Sequence, residues 1–104
     1  MALDGTLTTI SKQDLADREQ LVLDMQGPSS YTAAGEAVLP SDFPFRTGGV
    51  ELESVAGNAA DAADGFASLD PASAKLRFYD ANGVEVAGAV DLSAFTYRLI
   101  VLGR

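Results

Sequence analysis

Glu51 and Glu53, separated by one residue, are the two carboxylates best spaced for acid–base chemistry in this sequence. On a strand, residues two apart share a face at roughly 6.5–7 Å, near the separation at which an inverting glycosidase holds its acid and base. Val50-Glu51-Leu52-Glu53-Ser54-Val55 is equally the pattern of an outer strand face kept wet by alternating acids. Nothing nearby adds to the catalytic reading. The chain has no His and no Cys, so the usual general base and the thiol nucleophile are missing. Its serines stand in turn contexts, without the Gly-x-Ser-x-Gly elbow of a nucleophilic serine. We therefore expect no enzyme activity.

Asp61-Ala62-Ala63-Asp64-Gly65 sets two carboxylates beside a glycine. It lacks the alternating Asp/Asn spacing of a calcium loop and reads as a solvated loop, so no metal and no cofactor is assigned. Arg98, in the middle of an apolar run, has two uses open to it. Its stem can lie along a sheet while the guanidinium reaches a nearby Asp, or the guanidinium can meet a carboxylate across a subunit interface.

The elements that must carry these residues are short strands. Ala94 to Leu102 alternates with period two. Phe95, Tyr97, Leu99 and Val101 fall on one face, and Thr96, Arg98, Ile100 and Leu102 on the other. The first face is wholly apolar or aromatic and the second becomes apolar toward its end. This predicts a central strand covered on one side throughout and on both near its terminus.

Further strands are predicted over Gln20–Met25, Val50–Val55, Phe66–Leu69, Lys75–Tyr79 and Val84–Val86, with a short apolar piece at Glu36–Leu39. Asn82-Gly83 is the clearest hairpin turn, and Ala56–Gly65 reads as a loop. Helix is confined to the Pro40 turn and to Lys12–Glu19, where Ser11 and Asp14 resemble a capping box. The alternative for residues 1–19 is an extended arm that orders against a partner. The expected architecture is all-β: one antiparallel β-sandwich or barrel of about seven short strands, residues 20–104, preceded by an N-terminal arm or short helix, residues 1–19.

At 104 residues the chain suits one domain with a thin core. Its net charge of -8 argues against nucleic acid or an anionic membrane as partner and favours solubility. No apolar run is long enough to span a bilayer, and no basic-then-apolar leader opens the sequence as given.

From Ser30 onward the order of motifs resembles a group of small tailed-bacteriophage head proteins. Ser30-Tyr31-Thr32-Ala33-Ala34-Gly35-Glu36 matches their Ser-Tyr-x-x-Gly-Gly-Glu loop, with Ala34 in place of the first Gly. Leu39-Pro40-Ser41-Asp42-Phe43 and Lys75-Leu76-Arg77-Phe78-Tyr79 follow, with Glu85-Val86-Ala87 after them. The closing run is Asp91-Leu92-Ser93 through Arg98 to Gly103-Arg104.

The resemblance implies a capsid cement or decoration protein. Such a protein is a non-enzymatic β-rich clip, often a homotrimer, made in the host cytoplasm. In the virion it sits on the outer surface of the major capsid protein shell and stabilises the head. The alternatives are a phage tail or fibre component and, outside the virion, a carbohydrate-binding β-sandwich module. On this reading Leu3, Leu7 and Ile10 are the expected capsid contacts, being apolar residues in a stretch too polar to pack on its own domain. Phe43, Phe45 and Arg98 are the expected subunit-interface residues. The two phenylalanines have a second use open to them, as a plug on one end of the fold.

Overall fold

A computed structural model describes residues 7–104. They form a single seven-stranded antiparallel sheet: β1 (Leu7–Asp14), β2 (Glu19–Gln26), β3 (Glu36–Ala37), β4 (Leu52–Ala59), β5 (Phe66–Asp70), β6 (Lys75–Tyr79) and β7 (Thr96–Gly103). The strand order is β1-β2-β7-β4-β5-β6-β3. Single 3-10 turns stand at Pro40–Asp42 and Ala62–Asp64. The all-β class and the strand number are as expected. One continuous sheet supplies all seven strands, and its covered face is closed by the connections between them.

β7 lies at the centre, paired to β2 on one side and β4 on the other. The predicted alternation holds: Tyr97, Leu99 and Val101 are fully buried, while Thr96, Arg98 and Ile100 face outward. Opposite Leu99 stand Leu23 and Gly57, and Gly57 in turn faces Ala67, which pairs with Phe78. The small residues in the middle of this row leave room for large rings at its flanks. Phe78 meets Tyr97 edge to face at 4.9 Å between centroids. Each such fully buried large side chain stabilises the fold by about 1.5–3 kcal/mol.

The inner face is closed by Tyr31, Val38, Phe43, Phe45 and Leu92, all from connections between strands. Phe43 and Phe45 are 2% and 5% exposed and pack edge to face. The expectation that they form a subunit interface is corrected: they plug the core of their own chain. Phe45 reaches Gly103 so closely that a methyl group there would touch the ring.

Lys12–Glu19 is not a helix. The chain is strand to Asp14, then turns tightly, with the Leu15 amide donating to the Arg18 carbonyl at 2.8 Å. A helix here would have had only Leu15 to bury, whereas Thr8, Thr9 and Ile10 are β-branched and β2 offers an edge to pair with. β1 thus joins the sheet, with an irregularity between Thr9 and Ser11. The predicted loop over Ala56–Gly65 is also shorter than expected, because β4 continues to Ala59. The predicted strand over Val84–Val86 reduces to one bridge, Glu85 with Tyr79.

Candidate binding face

The outer face of the sheet carries a continuous row of polar and aromatic side chains. Strand register alone sets one row across it: Asp24 opposite Arg98, Arg98 opposite Asn58, Asn58 opposite Phe66, Phe66 opposite Tyr79. The next row runs Val22, Ile100, Ala56, Ser68.

Arg98 is held by Asp24 in a two-pronged ion pair, Nε donating to Oδ1 at 2.7 Å and Nη2 to Oδ2 at 2.9 Å. This planar fork fixes both side chains in one geometry. The hydrogen bond from Arg98 holds the Asp24 carboxyl below its ordinary range, and the same bond raises Arg98. Of the two uses open to Arg98, the structure has the first, an Asp on the neighbouring strand of its own chain.

Beside this pair β4 carries only small or short side chains, and a groove of about 520 Å³ opens above them. Asp24, Asn58, Ala60, Thr96, Arg98 and Ile100 line it. Ile100 is 52% exposed, although the apolar end of the strand predicted cover on both sides. Across β4, half-buried Phe66 and Tyr79 stack nearly parallel, 17° between planes and 5.0 Å between centroids. The row therefore passes from a fixed charge pair through an amide to an aromatic stack.

A second polar cluster is structural. The Tyr31 hydroxyl donates to Glu85 Oε2 at 2.7 Å, and the Ala34 amide donates to the same oxygen at 3.1 Å. The Phe78 amide donates to the Tyr31 hydroxyl at 3.3 Å. Arg77 reaches both Glu85 and Asp70. Burial and the bond to Glu85 push the Tyr31 hydroxyl well above the ordinary phenol value. The cluster ties the loop before β3 and the segment after β6 onto the inner face. Ala34 adopts φ +73 and Gly35 φ +118, so the loop matched to a Gly-Gly pattern asks for left-handed backbone at both positions.

The remaining sequence candidates are dispersed. Glu51 pairs with Arg104 and Glu53 with Arg18, so the two carboxylates are engaged separately. Asp61 accepts from the Ala63 amide within its own turn. Among the described residues, no three His, Cys, Asp or Glu side chains gather in a metal-holding group, and no helix is long and apolar enough to cross a membrane. Leu7 is half-buried against the core, Ile10 is 47% exposed on β1, and Leu3 lies outside the described residues.

At the other end of the sheet an apolar cleft of about 210 Å³ lies between Val38, Pro40, Val50, Leu52, Leu69 and Pro71. Leu39 and Val50 are among the large apolar residues left exposed on the molecule.

Asn58, Phe66 and Tyr79 were not visible as site residues in the sequence. They fall in three segments, and only the register of β4, β5 and β6 sets them side by side. A period-two reading of Phe66–Leu69 alone would have placed Phe66 and Ala67 on opposite faces, without saying which face is open.

Comparison with known proteins gives no match: no family model, no curated protein and no solved structure is similar to this chain.

Proposed function

We propose that this chain is a capsid cement protein, a non-enzymatic β clip that binds the outer surface of an assembled shell of major capsid proteins. Two lines support the reading. One is the resemblance of residues 30–104 to tailed-phage head proteins. The other, which carries the structural side, is the free edge of β1. Its eight residues have exposed side chains except for half-buried Leu7, and no strand among the described residues pairs with their outer side.

Such an edge is a template for an extended segment of another chain, because its outward amides and carbonyls want partners. Ile10 stands on it as an apolar anchor, and residues 1–6, with Leu3, continue from its start. A clip that binds neighbouring subunits only in their assembled geometry stabilises that geometry by its own binding free energy, multiplied over many copies. Homotrimerisation belongs to the same proposal. The apolar surface such a contact would cover is the cleft flanked by Leu39 and Val50, since Phe43 and Phe45 are spent on the core.

The test is co-sedimentation with undecorated, expanded tailed-phage heads. Full-length protein is expected to pellet with the heads and to raise their resistance to heat. Failure to pellet sinks the cement reading. Pelleting that is unchanged both by removing residues 1–6 and by Ile10→Asp removes the β1 edge from it.

A further inference from the structure

We propose that the groove on the outer sheet face binds an uncharged oligosaccharide, with Asp24, Asn58 and Arg98 holding hydroxyl groups and Phe66 stacking on a sugar ring. This goes beyond the cement reading and stands without it: the groove is built from outward side chains of β2, β7 and β4, whereas the cement reading rests on the open backbone edge of β1.

A sugar ring has hydroxyls around its rim, each both donor and acceptor, and flat faces of C–H groups. A site for it needs donors and acceptors side by side, held rigidly, with an aromatic or apolar wall. The row Asp24, Arg98, Asn58, Phe66 has that composition in that order. The fork between Arg98 and Asp24 uses one edge of each group, leaving further guanidinium N–H donors and carboxylate lone pairs to face the groove. Asn58, exposed beside them, offers an amide that donates and accepts. Phe66, half-buried and stacked on Tyr79, stands opposite Asn58 on the neighbouring strand and supplies the aromatic end of the row. Ile100 adds an apolar surface on the groove wall.

The groove volume of about 520 Å³ falls within the usual size of small-ligand sites. At about 4.8 Å per strand, the row from Asp24 to Tyr79 spans about 19 Å, enough for several linked sugar units.

Charge and backbone narrow the class of ligand. The protein carries -8 overall, and the one cation of the groove is already neutralised by Asp24. A phosphorylated, sulfated or uronic chain is therefore repelled, and a neutral one is not. The strands beneath the groove are interior, paired on both sides, so an extended peptide finds no open edge there. Recognition must come from side chains, and these are the side chains suited to a polyol.

The experiment is an NMR titration of the isolated chain with maltohexaose, cellohexaose and chitohexaose, and with an oligogalacturonate of the same length. At least one neutral hexaose is expected to shift the amides of Arg98, Asn58 and Phe66, with a dissociation constant between about 10 μM and 1 mM. Asn58→Ala and Phe66→Ala, checked for folding by circular dichroism, are each expected to weaken it about tenfold. No shift with any neutral hexaose at about 10 mM overturns the proposal. So does binding that both variants leave unchanged, or equal binding of the galacturonate. The titration contains no capsid heads, so its failure leaves the cement reading where it stands, and the reverse also holds.

Discussion

β7 presents two faces made from alternate residues of one segment, and they do opposite work. Tyr97, Leu99 and Val101 are wholly buried among rings and branched chains. Arg98 and Ile100, one residue away, stand over an open groove. The strand's stability is thus invested on one side, and the other side is free to vary without unfolding the domain.

The comparison breaks most visibly if an inner residue is cut back. Leu99→Ala is expected to cost about 2–5 kcal/mol, read by urea unfolding, because the cavity forms under a close-packed central strand. An equal effect from Ile100→Ala would show that the outer face is covered after all. Ile100→Ala is expected to change stability by less than about 0.5 kcal/mol.

The two buried tyrosines sharpen the same point. Tyr31→Phe takes away the hydroxyl that serves both Glu85 and the Phe78 amide, and is expected to cost about 1–3 kcal/mol. The Tyr97 hydroxyl is buried without a hydrogen-bond partner among the described residues, and burial pushes its pKa up to about 12. Tyr97→Phe should therefore leave stability unchanged or raise it by up to about 1 kcal/mol in the same denaturation. Ala34→Gly relieves a left-handed backbone at a side-chain-bearing residue, offset by the entropy of glycine. A gain of up to about 1 kcal/mol is expected in thermal unfolding.

The smallest effect is electrostatic. Asp24 titrates below its ordinary value in the folded state because Arg98 hydrogen-bonds to it. The stability it contributes is therefore fully present above the unfolded carboxylate range and is lost as pH falls through the depressed folded value. Arg98→Ala should lower the melting temperature slightly at neutral pH and flatten its fall between about pH 5 and pH 2 by the same small amount. A large drop at neutral pH would mean that the exposed pair stabilises the fold by more than a surface ion pair does.

Legibility followed the length scale of the interaction. The faces of β7 could be read directly because period-two alternation is local and its inner residues are all large and apolar. The turn at Asn82-Gly83 was equally clear: Gly83 sits at φ +80, and Asp80 accepts from the Asn82 and Val84 amides. For residues 1–19 the sequence leaves a short helix and an extended arm both open, because Ser11 and Asp14 mimic a cap, and only the unpaired edge of β2 decides for a strand. The far half of β4 was misread as loop because Ala56, Gly57, Asn58 and Ala59 look like loop residues. Their smallness is what admits the rings of Tyr97 and Phe78 on one side and opens the groove on the other.

The sequence by itself determined the all-β class, the central C-terminal strand with its buried side, and the net charge of -8, since all three depend on composition or on neighbours along the chain. The tertiary structure decided which Asp meets Arg98, that Phe43 and Phe45 belong to the core, and that Asn58 and Phe66 extend the Asp24–Arg98 pair into one row. Asp24 and Arg98 are 74 residues apart, and no local pattern encodes a partner at that distance. Strand order and register do, because each fixes which residues stand opposite one another on a shared face.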